Sequence, residues 1–135
     1  IGNITAERVK KEIGSALPLE KNLSLKVYGR DLAKGLPQEI IITDQDVRKA
    51  ISESLESIAE TLKDVLHSAP AELSSDIVKN NIIITGGGSL LRRLPEYLEQ
   101  KTSMPCRMAD DPLTTVVRGE GLILENFEAM RPLFD

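Results

Sequence analysis

The feature that most restricts the fold is a run at residues 82–89, whose letters are IIITGGGS. Consecutive β-branched residues favour a strand, and consecutive glycines favour a turn. Ser89 is a residue type that often begins a helix. The order of strand, glycine turn and helix is typical of an α/β fold.

The glycine turn at residues 86–88 has two interpretations of equal weight. A strand that leads into three glycines leaves a backbone surface without side chains, against which a flat ligand can lie. A tight structural turn explains the same letters. The run is not a P-loop, because Gly-Lys-Ser/Thr does not follow, and its glycine spacing differs from the dinucleotide-binding fingerprint.

A short helix is predicted near the beginning of the chain. Thr5 is its expected N-cap, and Gly14 directly follows its expected end. Ile4 and Val9 have the spacing of a hydrophobic staple across the N-terminus of this helix.

A β-hairpin and a long helix are predicted next. Residues 23–28 alternate between apolar and polar, and residues 39–43 are rich in isoleucine, which leaves open which face of the second strand is buried. Residues 44–66 predict an amphipathic helix that Thr43 or Asp44 caps and whose charged face is solvated. The apolar stripe of this helix consists of Val47, Ile51, Leu55, Ile58, Leu62 and Val65.

The second half of the chain alternates between helices and strands. We predict a helix over 71–78, a buried strand over 81–85, a helix from Ser89 to about residue 100, a strand over 104–108 and a helix over 111–126. The expected buried positions of the last helix are Val116, Val117, Leu122 and Ile123.

Composition excludes several classes of function. The chain has 17 Lys and Arg against 21 Asp and Glu, and this net charge of −4 does not fit a nucleic-acid-binding protein. Aromatic residues make up 3% of the chain, so stacking on bases is nearly excluded. Cys106 is the single cysteine, which favours a reducing compartment, and the single histidine, His67, argues against a catalytic triad. No apolar run approaches the roughly 20 residues of a membrane span.

The remaining polar residues fit structural roles when they are judged from the pattern alone. Glu7, Lys10 and Lys11 are interpreted as a solvated face of the first helix. Asp110 and Asp111 precede a proline, where a helix cap explains them better than a metal site. We therefore assign no catalytic residue and no metal ligand.

Several motifs together resemble a known family. They occur in the family's order and cover most of the chain. The matching stretches are residues 5–16 (TAERVKKEIGSA), 29–32 (GRDL), 35–37 (GLP), 70–73 (PAEL), 84–92 (ITGGGSLLR), 111–114 (DPLT) and 118–119 (RG). On these motifs the chain resembles the C-terminal part of the bacterial actin homologues of the MreB and Mbl type, the rod shape-determining proteins.

The resemblance implies a fold and a division of the chain. The fold is α/β, a partial actin-like ATPase (ribonuclease H-like) domain with a small α+β insertion subdomain. Residues 1–20 would supply a helix of the nucleotide-binding domain, and 21–66 the insertion subdomain with the hairpin and the long helix. Residues 67–126 would form the C-terminal half of the nucleotide-binding domain, and 127–135 a loosely held tail.

The resemblance also implies a nucleotide site. ATP or ADP with Mg²⁺ would bind the full-length protein. The family's two phosphate-binding loops and its catalytic acids have no counterpart in this sequence, so we expect the fragment to hydrolyse no ATP and to bind no cofactor by itself. The residues that the resemblance places around the adenosine are Glu7, Lys10, Lys11, Gly86, Gly87, Gly88, Ser89 and Leu90.

The function implied by the resemblance is that of an ATP-binding cytoskeletal filament that determines rod shape by organising cell-wall synthesis. Its partners would be copies of itself and membrane-anchored cell-shape proteins, with no nucleic acid, and it would contact the membrane only through segments outside this sequence. Its location would be cytoplasmic, at the inner face of the cell membrane. The alternative from another class is a stand-alone protein-interaction module in which the glycine turn is purely structural.

Overall fold

The computed structural model describes residues 1–134 and contains helices and strands in a mixed order. The elements are α1 (Asn3–Ile13), β1 (Ser24–Arg30), β2 (Pro37–Thr43), α2 (Asp44–Ser68), α3 (Ala71–Asn80), β3 (Ile82–Ile84), a 3₁₀ turn (Gly87–Leu90), α4 (Leu94–Thr102), β4 (Cys106–Met108), α5 (Thr115–Glu125), α6 (Phe127–Met130) and a second 3₁₀ turn (Arg131–Leu133).

The hairpin of β1 and β2 confirms the prediction and settles which face is buried. The strands are antiparallel, with Val27 opposite Ile40 and Leu25 opposite Ile42. Val27 is 1% exposed, and Ile42 packs against the same apolar cluster. Ile41 points the other way and is 62% exposed. The alternation of a half-buried strand therefore holds despite the three consecutive isoleucines.

Helix α2 begins with the predicted cap. The N–H of Asp46 donates to Oγ1 of Thr43 at 3.2 Å, and the N–H of Thr43 donates to Oδ2 of Asp46 at 2.9 Å. These two bonds form a capping box, in which each residue satisfies a backbone group that the helix start leaves free.

The predicted stripe of α2 is correct at Val47, Ile51, Leu55 and Leu62, which are buried or pack against the core, and wrong at Ile58 and Val65. Val47 and Leu55 are buried, but Ile58 is 51% exposed and Val65 is 59% exposed. Ala59, with no exposed surface, is buried in place of Ile58. Ala59, four positions after Leu55, belongs to the same apolar cluster as Leu94 and Leu98 of α4, and Ile58 does not.

Two apolar clusters form the core, and α2 belongs to both. Ile51 packs against each of them. One cluster comprises Val9, Ile13, Val27 and Val47. The other comprises Ala16, Leu55, Ala59, Leu94, Leu98 and Cys106.

Strands β3 and β4 are parallel, with Ile82 opposite Cys106 and Ile84 opposite Met108. The strand β3 is shorter than predicted and is not fully buried, because Ile83 is 52% exposed. Since the strands run in the same direction, the chain segments that follow them leave from the same edge of the sheet.

The start of α1 differs from the prediction. The helix begins at Asn3 with Gly2 as its N-cap, so Thr5 lies inside the helix. Ile4 is 90% exposed, and the hydrophobic staple with Val9 is therefore absent from this helix. Gly14 does follow the helix, but in an extended conformation with φ −67°. A left-handed backbone therefore does not explain why glycine stands at this position. A Cβ there would lie 2.3 Å from the backbone oxygen of Lys10.

The elements after the glycine turn are also shorter than predicted. Ser89 lies in the 3₁₀ turn, and α4 begins only at Leu94, after Arg93 has taken a left-handed conformation with φ 60°. Helix α5 begins at Thr115, and its predicted buried face is largely exposed. The exposed fractions are 65% for Val116, 61% for Val117 and 58% for Leu122.

The expected tail over 127–135 is helical from Phe127 to Leu133. Phe127 and Phe134 lie with their ring centroids 6.3 Å apart, which links α6 to the end of the second 3₁₀ turn. Asp135 lies outside the described residues.

Candidate functional site

The space that side chains would fill at the three residues of the glycine turn is open. Gly86 has φ +82°, a conformation that favours glycine. A Cβ on Gly86 or on Gly88 would meet nothing within 4 Å, and one on Gly87 would meet only Cδ2 of Leu113, at 3.6 Å. The turn therefore presents bare backbone to a neighbouring group.

The turn is held by hydrogen bonds to the loop that follows β4. The carbonyl oxygen of Pro112 accepts from the N–H of Gly86 at 2.8 Å and from Oγ1 of Thr85 at 3.0 Å. Within the turn, Oγ of Ser89 donates to the carbonyl oxygen of Gly86 at 2.7 Å. Ser89 is 3% exposed, whereas Leu90 is 52% exposed. Ser89 thus shapes the turn, and Leu90 adds apolar surface at its end.

The charged residues predicted on α1 form a small ion-paired group. Glu7 pairs with Lys10 at 2.6 Å and with Lys11 at 3.5 Å. The hydrogen bond from Lys10 is the main cause that lowers the pKa of Glu7 below its ordinary value. All three side chains are about half exposed or more. The group is a carboxylate flanked by two ammonium ions on an accessible helix face.

The end of α1 lies beside the segment that leaves the glycine turn. Ser15 forms a parallel bridge with Arg92, and the N–H of Ala16 donates to the carbonyl oxygen of Arg92 at 2.8 Å. The guanidinium of Arg92 reaches the carbonyl oxygen of Gly14 at 3.4 Å. A Cβ on Gly14 would also lie 3.1 Å from Leu91, so the glycine permits this close approach.

The structure therefore connects α1, which carries the predicted charged residues, to the segment after the glycine turn through backbone contacts. In residues 1–134, no hydrogen bond or ion pair joins the side chains of Glu7, Lys10 or Lys11 directly to residues 86–90. The connection runs from the end of α1 to Arg92. Arg92 was not among the predicted site residues, although it is the last residue of the matching stretch at 84–92.

A buried ion pair fixes the hairpin and the end of α1 to α2. Asp44 is 1% exposed, accepts from the N–H of Leu23 at 3.0 Å and pairs with Arg48 at 3.1 Å. Arg48 also donates to Oγ of Ser15 at 2.9 Å and to the carbonyl oxygen of Leu17 at 3.3 Å. Burial raises the pKa of Asp44, but its bonds with Leu23 and Arg48 outweigh burial and hold the pKa below the ordinary value.

A second, more exposed group joins α2 to α4. Oε2 of Glu56 accepts from the hydroxyl of Tyr97 at 3.0 Å and from Nζ of Lys101 at 2.5 Å. The same Nζ lies 5.6 Å from the centroid of the Tyr97 ring. The prediction that the charged face of α2 is solvated is therefore wrong for Arg48, whose side chain is 21% exposed, and holds for Glu56, whose side chain is 47% exposed.

Other candidate residues have structural roles. Cys106 is 8% exposed, and burial raises the pKa of its thiol, as expected for an unreactive cysteine. Asp111 accepts from Oγ1 of Thr114 at 2.6 Å but is not the N-cap of α5, which is Thr114 itself. Among the described residues, no group of three His, Cys, Asp or Glu side chains could hold a metal ion.

No helix of residues 1–134 is both long enough and apolar enough to cross a membrane.

Comparison with known proteins identifies a single family. The model of the MreB/Mbl protein family matches residues 1–132. The cell shape-determining protein MreB of Escherichia coli K12 is 42% identical over 125 residues, which cover 93% of this chain and 36% of that protein. The cell shape-determining protein Mbl of Bacillus subtilis 168 is 35% identical over 130 residues, which cover 96% of this chain and 39% of that protein.

Solved structures give the same result. MreB5 of Spiroplasma citri in a crystal structure bound to ADP is 34% identical, with a TM-score of 0.89, over 94% of this chain and 39% of that one. The form bound to AMPPNP is 32% identical, with a TM-score of 0.89, over 100% of this chain and 40% of that one. The fold is thus that of part of an actin-like MreB chain, and this chain spans well under half the length of its relatives.

Proposed function

The chain belongs to the MreB/Mbl family of cell shape-determining, actin-like proteins, and from this membership we propose that it is the C-terminal part of an ATP-binding protein that forms filaments. In this proposal the filaments organise cell-wall synthesis and so determine rod shape. The MreB5 structures bound to ADP and to AMPPNP support a nucleotide as the ligand.

We assign the nucleoside half of the site to this chain. The observation that carries the assignment is the open backbone of Gly86, Gly87 and Gly88, where an added Cβ would meet at most one side chain at ordinary contact distance. Bare backbone accepts a flat base at close range, and a side chain there would occupy the space of the base. Leu90, half exposed at the end of the turn, extends this surface.

We assign Glu7, Lys10 and Lys11 to the other side of the nucleoside. A carboxylate accepts hydrogen bonds from ribose hydroxyls, and ammonium groups donate to oxygen and ring nitrogen acceptors. The bridge between Ser15 and Arg92 keeps α1 attached to the segment that follows the turn, which supports a joint site. Ser89 contributes by fixing the turn rather than by contact, since its hydroxyl is bonded to Gly86.

The division of the chain follows the same proposal. Residues 1–20 and 67–126 belong to the nucleotide-binding domain, 21–66 form the insertion subdomain, and 127–135 form the tail. The two apolar clusters join these parts rather than separate them. Val9 and Ile13 pack with Val27 of the hairpin, and Leu55 and Ala59 of α2 pack with residues of α4.

The remaining parts of the proposal concern the whole protein. ATP supplies the phosphoryl group and Mg²⁺ the charge compensation that phosphoryl transfer requires. The acids and phosphate loops for that chemistry are not assigned to any residue of this chain. The proposed partners are further copies of the protein and membrane-anchored cell-shape proteins, and the proposed location is cytoplasmic, along the inner face of the cell membrane.

Binding of ATP to the complete gene product that carries these residues tests the proposal. Gly87→Val should weaken ATP binding by at least about tenfold, because a branched side chain fills the space beside the turn. Gly87 does not have a positive φ, so the fold should tolerate the change. Isothermal titration calorimetry gives Kd, and thermal unfolding reports the stability of the variant.

A matched control is Thr61→Val, which introduces the same side chain on the exposed face of α2. It should leave the Kd for ATP unchanged. The proposal is wrong if the unaltered protein does not bind ATP saturably, the result that a stand-alone interaction module predicts, or if Gly87→Val and Thr61→Val bind ATP equally well.

A further inference from the structure

A leucine beside the glycine turn has no part in the site proposed above. Leu113 lies in the loop between β4 and α5, and it is 66% exposed. Its Cδ2 lies 3.6 Å from the position that a Cβ on Gly87 would occupy. An exposed apolar side chain therefore stands beside the space that a side chain on Gly87 would occupy.

The position of Leu113 is tied to the glycine turn. The residue before it, Pro112, accepts hydrogen bonds at its carbonyl oxygen from the N–H of Gly86 at 2.8 Å and from Oγ1 of Thr85 at 3.0 Å. These bonds join the two loops at adjacent backbone positions. Because the backbone next to Leu113 is already fixed, ligand binding does not have to order this loop, which lowers the entropic cost of packing against it.

Both loops leave the sheet at the edge where ligands of α/β proteins commonly bind. Strands β3 and β4 are parallel and end together, with Ile84 opposite Met108. The N–H of Ala109 donates to the carbonyl oxygen of Ile84 at 2.9 Å, which continues the pairing past the end of β4. Ligands of open α/β sheets lie outside the carboxyl ends of the strands.

We propose that Leu113 packs against the base of the bound nucleotide and is a base-contacting residue of the site. The proposal rests on the proposed function, since it assumes that the glycine turn accepts a nucleoside. An aliphatic side chain has no hydrogen-bonding group. Leu113 therefore adds affinity for a large flat base by excluding water from it, and it contributes nothing to binding of the phosphates.

The test compares two ligands in the complete gene product. Leu113→Ala should weaken binding of ATP by about fivefold, as expected for loss of part of one leucine contact, and should leave binding of inorganic tripolyphosphate unchanged. Leu113→Met keeps an apolar side chain of similar length and should retain most of the affinity for ATP. Leu113→Gln, of similar length but polar, should weaken ATP binding as Leu113→Ala does.

The matched control is Leu32→Ala, which removes a leucine that is 96% exposed in the hairpin loop, and it should change neither Kd. The inference is overturned if Leu113→Ala and Leu113→Gln bind ATP as tightly as the unaltered protein, a result that leaves the proposed function intact. Equal weakening of ATP and tripolyphosphate binding also overturns it. If the unaltered protein binds no ATP, the proposed function and this inference fail together.

Discussion

The two polar groups that hold α2 use similar chemistry at different depths. Asp44 and Arg48 lie at its start, where the side chain of Asp44 is 2% exposed and that of Arg48 is 21% exposed. Glu56 and Lys101 meet near its middle, where their side chains are 47% and 34% exposed. Removal of one partner leaves an unpaired charge in both groups, but water can solvate that charge only at the second. Breaking the buried pair should therefore cost more stability than breaking the exposed pair.

Removal of the buried carboxylate should have the largest effect. Asp44→Ala takes away both the acceptor of the Leu23 N–H and the partner of Arg48, and it should lower the free energy of unfolding by about 3 kcal/mol. Glu56→Ala is the matched change at the exposed pair and should cost much less. Urea denaturation followed by circular dichroism measures both. Equal losses would show that depth does not distinguish the two groups.

Lowering the pH should also distinguish the two pairs, but by a smaller difference in stability. The folded-state pKa of Asp44 lies below its ordinary value, so the stability that it contributes is present above about pH 4 and is lost as pH falls through the folded pKa. Asp44→Asn removes this titration, so its Tm should fall less than that of the unaltered protein between about pH 5 and about pH 3. Glu56→Gln serves as the control and should reduce the pH dependence less. If Tm depends on pH in Asp44→Asn as it does in the unaltered protein, the pH dependence does not come from Asp44.

Removal of the exposed Lys101 ammonium should have the smallest effect on thermal stability. Lys101→Met keeps an apolar stem beside Tyr97 but removes the charge near Glu56, and it should lower Tm by no more than about 2 °C at low ionic strength. This difference should disappear in about 0.5 M NaCl, because salt screens exposed charges. Arg48→Met should retain its larger loss of Tm in the same salt. Thermal unfolding in both buffers checks the contrast.

Local patterns predicted most of the fold, and tertiary contacts explain the errors. The hairpin, the cap of α2 and strand β3 follow from alternation, from the Thr43 cap and from a β-branched run. The sequence could not show that Ala59 rather than Ile58 faces the core, because that depends on where α4 packs. The exposure of Val116 and Val117 was likewise invisible, since an apolar helix face does not reveal whether a partner covers it within the chain.

The sequence predicted only those parts of the candidate site whose residues lie close together along the chain. The glycine run is contiguous, and Glu7 and Lys10 are three residues apart on one helix, so both groups were visible in the sequence. The hydrogen bond between Thr85 and Pro112 joins residues 27 positions apart, and the contact of Arg92 with Gly14 joins residues 78 positions apart. No periodicity predicts such pairings, so the contacts that bring Arg92 to Gly14 and Leu113 to Gly87 were visible only in the structure.

The place of Ile51 in both apolar clusters has a consequence for how the chain unfolds. A helix shared by two cores cannot melt for one and remain ordered for the other. The hairpin at one end and the parallel strands at the other should therefore lose their amide protection in hydrogen exchange together, as a single cooperative unit. Because α2 packs into both regions, a displacement of one region would also be passed to the other through this helix.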